Sequence, residues 1–126
     1  MPKRYRNNEI WQKKNFRELE PKFKLFWFYI MDQCNHGGIW HVDFDNARFL
    51  TGEKTLIMED VLNVFGDKIE VITPEVWHIP DFIEEQYGSK ILNDEIRYQK
   101  SALEILKVYN LDKQYLDENK LSFKND

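Results

Sequence analysis

Lys68-Ile69-Glu70-Val71-Ile72-Thr73-Pro74-Glu75-Val76-Trp77-His78-Ile79-Pro80 is the stretch that decides how this chain folds. Residues 68–72 alternate between polar and apolar and read as a strand. Thr73-Pro74-Glu75 carries turn chemistry. Val76-Trp77-His78-Ile79 is rich in β-formers and returns as a second strand, which Pro80 ends. Two strands joined by so short a turn form a hairpin.

Toward the N-terminus, Gly66 closes a helix that Thr55 is placed to cap. Leu56, Met58, Val61, Leu62 and Phe65 lie at helical spacing within it. Gly52-Glu53-Lys54 is the turn from a preceding helix, Phe44 to Thr51, with Asp43 and Asp45 as candidate caps and Gly52 as its left-handed end. Ile39-Trp40-His41-Val42 is a short strand after the Gly37-Gly38 break. Before it, Pro21 suits the first position of a helix running to Asn35 that is apolar on every face, the mark of a buried central helix. Residues 1–18 are polar and basic with scattered rings (Tyr5, Trp11, Phe16) and read as an extended arm. Toward the C-terminus, Asp81 is placed to cap a short helix, Phe82 to Tyr87. A last helix runs from about Glu95 to Tyr109, with Asn110 as its stop. Residues 113–126 read as a frayed tail.

The order is helix, strand, helix, helix, hairpin, helix. It predicts an α+β fold, mainly α: a winged helix (a helix-turn-helix variant) over residues 19–112 with additional C-terminal helices. The helix after Gly52-Glu53-Lys54 would be its recognition element.

At 126 residues the chain suits one domain with one core, and its nineteen Phe, Tyr and Trp residues make that core ring-rich. The single cysteine, Cys34, excludes an internal disulfide and fits a reducing cytoplasm. No secretion signal or membrane span is read, so the expected location is the bacterial cytoplasm. The net charge of −4 hides an asymmetry: residues 1–24 carry eight Lys/Arg against three Asp/Glu, whereas residues 67–95 carry two against eight. A basic leader and an acidic body point to different partners at different ends.

Several blocks resemble phage replication proteins of the replisome-organiser type. Lys3-Arg4-Tyr5-Arg6 followed by Trp11 resembles their opening, and Leu19-Glu20-Pro21-Lys22-Phe23-Lys24-Leu25 the start of their first helix. Gly38-Ile39-Trp40-His41-Val42-Asp43 resembles their first strand. Trp77-His78-Ile79-Pro80-Asp81-Phe82-Ile83-Glu84-Glu85-Gln86-Tyr87-Gly88 is similar to the W-x-I-P-x-F-I-x-x-Q-Y-G that ends their winged helix. The resemblance covers roughly residues 3–111. It implies a DNA-binding module used at a phage or prophage origin. Longer members continue into a region tied to the replicative helicase or its loader, and loader recruitment is not carried over to this chain.

Phosphate neutralisation by Lys and Arg supplies most of the affinity in protein–DNA contacts. The expected contacts are Lys3, Arg4, Arg6, Lys13, Lys14 and Arg17 of the arm. Lys54, Thr55 and Asn63 around the third helix and Lys68 of the wing are added to them. Glu59, Asp60, Glu70 and Glu75 oppose that reading locally. The rival is a protein-binding winged helix, a regulator or inhibitor of a host or phage complex, using the acidic stretch 67–95. Cys34, His36, His41 and His78 match no common metal spacing, so no metal or other cofactor is expected. Asp43 and Asp45 are explained as caps, and no nucleophile elbow or phosphate loop is present in the order, so the chain is read as non-catalytic. Trp27, Trp40 and Trp77 are expected in the core, and Trp11 is the open case, free to fold back or to reach out.

Overall fold

The structure, a computed structural model, describes residues 3–117. It is mainly helical with one three-stranded antiparallel sheet. Helix α1 covers Lys14–Arg17, α2 Pro21–Gln33, α3 Phe44–Thr51, α4 Met58–Phe65, α5 Pro80–Tyr87 and α6 Arg97–Val108. Strands β1 (Ile39–His41), β2 (Glu70–Thr73) and β3 (Val76–His78) are ordered β1-β3-β2. The hairpin forms as expected, but its first strand begins at Glu70 and takes in Thr73, and its second ends at His78. Thr73 Oγ1 accepts the Glu75 N–H at 3.1 Å to close its turn, and the pairing slips between Val71 and Thr73. Among the described residues no helix is long and apolar enough to cross a membrane.

The central helix α2 buries Phe23, Phe26, Trp27, Tyr29, Ile30 and Met31. Trp40 and Trp77 join it in the core, as the sequence predicts. Trp77 is wholly buried, and its indole N–H has no hydrogen-bond partner. That loss is set against its ring contacts with Trp40 at 5.2 Å and Phe44 at 5.6 Å. After α2 the chain reverses around Asn35, whose Oδ1 accepts the N–H groups of Gly37 and Ile39. Gly38 sits there at φ +74°, and a Cβ would meet the Ile79 carbonyl oxygen at 2.9 Å. Glycine is required on both counts.

Several boundaries differ from expectation. Thr55 does not cap α4: the helix begins at Met58, with Ile57 at the cap position and no side-chain cap bond. The connection therefore spans residues 52–57 rather than three residues. The cause is Leu56, which is fully buried, and whose carbonyl accepts from Arg48 Nη1 at 2.7 Å. Asp81 does not cap α5 either. That helix starts at Pro80 after Ile79, and the Asp81 carboxylate pairs with Lys68 Nζ at 2.9 Å. Lys68 lies in the 3₁₀ turn Gly66–Lys68 rather than in the wing strand. Asp43 does cap α3, accepting the Asn46 N–H at 2.9 Å, and Gly52 ends it in the left-handed region. Asn110 takes φ +60° just past the end of α6.

The expected fraying from residue 113 is also corrected. Lys113–Tyr115 forms a 3₁₀ turn, and Tyr115 is buried against the hairpin. Its carbonyl accepts the Leu92 N–H at 2.7 Å, and its hydroxyl lies 3.1 Å from His78 Nε2. Residues 118–126 of the expected tail lie outside the described residues. His78, fully buried, has Glu70 on its other nitrogen, with Nδ1 at 3.2 Å from the carboxylate. The carboxylate only accepts, so Nδ1 carries the proton and Nε2 accepts the Tyr115 hydroxyl. All three groups are satisfied with the imidazole neutral.

Burial holds the His78 pKa below its ordinary value, against the Glu70 carboxylate, which pulls it up. Burial and the Arg4 charge lower His36 in the same direction. The unfolded chain therefore binds these protons more tightly than the native one. Stability should be fully present above about pH 6.5 and fall as pH is lowered from there. Urea unfolding from about pH 7.5 to about pH 5.5 checks this. A His78→Gln variant should show a shallower slope, and a stability that rises on acidification through this window would contradict the assignment.

Candidate nucleic-acid interface

The N-terminal segment decides which cations are available, and it is not an extended arm. Asn7 Oδ1 accepts the Glu9 N–H at 3.0 Å and starts a 3₁₀ turn, Asn8–Gln12, which leads into α1. Phe16 is buried. Trp11 meets Phe16 edge-on at 5.4 Å and Phe28 of α2 at 5.6 Å. The segment thus packs on α2 at Phe28. Of the two alternatives left open for Trp11, folding back is the one adopted, and a helix apolar all round supplies the surface it meets.

The acidic α5 holds the leader by its backbone. Gln86 Oε1 accepts the Tyr5 N–H at 3.0 Å, Gln86 Nε2 donates to the Lys3 carbonyl at 3.3 Å, and a Glu85 oxygen accepts the Asn7 N–H. Burial raises the Glu85 pKa, while the Asn7 bond and Arg6 act against that rise.

Two of the expected phosphate contacts are engaged in this docking. Arg4 Nη2 donates to the Cys34 carbonyl at 2.7 Å, and its guanidinium lies 4.8 Å from the Phe82 ring centre. Arg6 pairs with Asp32 and lies 4.7 Å from the centre of the Phe28 ring. Lys68 is neutralised by Asp81. The leader arginines thus find one counter-charge, Asp32, and one carbonyl, that of Cys34, within the same molecule.

Lys13, Lys14 and Arg17 differ. All three are exposed on the folded leader, and Lys14 has only a loose partner, Glu18, at 3.9 Å. Lys13 and Arg17 make no ion pair among the described residues. Lys3 is exposed at the start of the segment. Lys13 and Lys14 border an open groove together with Val64, Lys68, Asp81 and Glu84, so its two walls carry opposite charge.

The α3–α4 turn forms a second surface. Lys54 and Thr55 are exposed there, and Thr55 Oγ1 is 3.4 Å from Lys22 Nζ. Asn63 is exposed on α4. Around them stand Phe49 at 76%, Leu50 at 56%, Ile57 at 46% and Met58 at 38% exposure, with Glu59 and Asp60 in the first turn of α4. The structure therefore places the expected site residues in two groups rather than on one face.

Cys34 is buried, its Sγ lies 3.7 Å from the Met31 carbonyl oxygen, and burial pushes the thiol up to about 12. Such a thiol is a packing group rather than a nucleophile. Burial likewise pushes the Tyr87 phenol up to about 12, and its hydroxyl donates to the His36 carbonyl at 2.7 Å. Among the described residues no three His, Cys, Asp or Glu side chains are grouped to hold a metal ion.

The two classes of cation should separate in unfolding experiments. Arg4→Met leaves the Cys34 carbonyl without its donor and should cost about 1–3 kcal/mol in urea unfolding. Lys13→Ala should stay within about 0.5 kcal/mol of the native chain. Equal losses would show that Lys13 is also part of the fold.

Compared with protein-family models, curated proteins and solved structures, the chain shows no significant match to any of them.

Proposed function

We propose that this chain is a non-catalytic DNA-binding module with a winged-helix fold, serving phage or prophage replication in the cytoplasm of a bacterial host. Support for the fold comes from the element order and from the sheet order β1-β3-β2, in which the hairpin follows α2, α3 and α4. The observation that carries the binding reading is the state of Lys13, Lys14 and Arg17. They are three exposed cations within five residues, on a leader that is itself pinned by Arg4, Arg6, Trp11 and Phe16. Charges on a rigid support lose little entropy when they meet phosphate. In this reading Lys3, Lys54, Thr55 and Asn63 are secondary contacts, and Arg4 and Arg6 are structural.

One observation favours the rival. The α3–α4 turn, where a recognition surface would meet a groove, presents Phe49, Leu50, Ile57 and Met58 beside Glu59 and Asp60. Apolar side chains rimmed by acids suit a protein partner better than a phosphate backbone. The acidic stretch 67–95 is in part occupied by the leader and Lys68, so the rival's surface shifts from that stretch to this turn.

The test is duplex binding across a salt series. The native chain should bind random duplex with a log–log salt slope that falls by roughly one unit for each of Lys13, Lys14 and Arg17 changed to Gln. The loss should be the same on unrelated sequences. No measurable affinity at about 50 mM salt would remove the DNA reading. A stoichiometric protein partner lost on Phe49→Asp would put the rival in its place.

A further inference from the structure

Resting on the DNA reading, we propose that the leader contains a stacking site for an unpaired base, with Trp11 as its platform. Three observations carry this. First, Trp11 is 49% exposed, whereas the other tryptophans are at most 4% exposed. Second, the indole is braced by two neighbouring rings. Phe16 meets it edge-on at 86° and Phe28 at 40°, and those two rings meet each other at 5.4 Å. A ring held in this way has little rotamer freedom left to lose when a flat ligand lands on it. Third, cations flank it. Lys13, Lys14 and Arg17 follow within six residues, and the Arg6 guanidinium lies on the adjoining Phe28 ring.

The ligand class follows from this chemistry. A braced π-face beside exposed cations matches a nucleotide unit, one base plane joined to one phosphate. In a duplex the base faces are hidden in the stack, so a base that lands on Trp11 must be unpaired. Stacking requires no hydrogen-bond code, so the site tolerates any base. The leader would therefore hold single-stranded DNA more tightly than duplex, by a margin that resides in one side chain.

The composition of the core supplies a direct readout. Trp27, Trp40 and Trp77 are shielded, so collisional quenching by acrylamide reports on Trp11. The experiment uses the full chain with a short oligothymidylate and a random duplex at low salt. Bound oligothymidylate should shield Trp11 from acrylamide. Trp11→Leu keeps an apolar cover over Phe16 and Phe28 but removes the plane. It should weaken oligothymidylate binding about tenfold and duplex binding by far less. Trp11→Phe should recover most of that loss. Equal losses on both ligands, or none on oligothymidylate, would overturn the stacking site while leaving the DNA reading standing. Binding of neither ligand by the native chain would overturn both. Should Trp11→Leu fail to fold by circular dichroism, the native chain decides: bound oligothymidylate that leaves Trp11 open to acrylamide overturns the site.

Discussion

The ring of Phe26 is the point on which this structure turns. It lies parallel to Phe44 of α3 at 5.7 Å, edge-on to Trp40 of β1 at 5.8 Å, and 6.2 Å from Phe65 of α4. One wholly buried side chain thus ties the central helix to a strand and to two further helices. Trp40 passes the contact on to Trp77 in the middle strand, and so to the hairpin. Each such pair contributes about 0.5–1.5 kcal/mol beyond the area it buries. The more important consequence is geometric. Large rings fit only in specific orientations, so the helices and the sheet are fixed relative to one another, and the surfaces they present are fixed with them.

The charge asymmetry of the sequence is resolved inside the molecule. A basic leader and an acidic body look like two docking ends for two partners. Here part of that complementarity is internal, through Arg6 with Asp32 and the leader backbone held by Glu85 and Gln86. Exposed pairs of this kind contribute about 0–1 kcal/mol each, and the apolar contacts of Trp11 and Phe16 do more to hold the leader down. Pairing removes Arg6 and Lys68 from the set that can readily meet a phosphate, and on the leader Lys13, Lys14 and Arg17 remain as an exposed group.

The parts of the fold that were legible from sequence are those where local chemistry and tertiary packing agree. The hairpin, the limits of α3, the Asp43 cap and the buried face of α2 follow from residue type and spacing. The misses are places where a distant contact overrides a local preference. Thr55 is a good cap by type, but burial of Leu56 and its bond to Arg48 delay the start of α4 to Met58. Asp81 is a good cap by type, but Pro80 already starts the helix and Lys68 claims the carboxylate. Tyr115 lies in a polar stretch that reads as frayed, and a fully buried histidine 37 residues earlier holds it. For the candidate interface, the expected set divides into cations engaged in the fold and cations left exposed. Sequence spacing had no means of separating Lys13 from Arg4, because that distinction rests on a carbonyl at residue 34.

The docked leader constrains how any nucleic acid would be met. A flexible arm reaches a minor groove by detaching and threading along it. Detachment here would uncover Phe16 and Phe28 and leave the Cys34 carbonyl without its donor. The backbone bonds to Glu85 and Gln86 would be lost as well. Burying one large apolar side chain alone contributes about 1.5–3 kcal/mol, which is comparable to several phosphate contacts at physiological salt. Threading would therefore forfeit about as much as it gained. A fixed leader avoids this loss, since its cations and its one exposed indole already stand in place. The physics thus favours a static platform over a searching arm, and an incoming strand would have to conform to the protein.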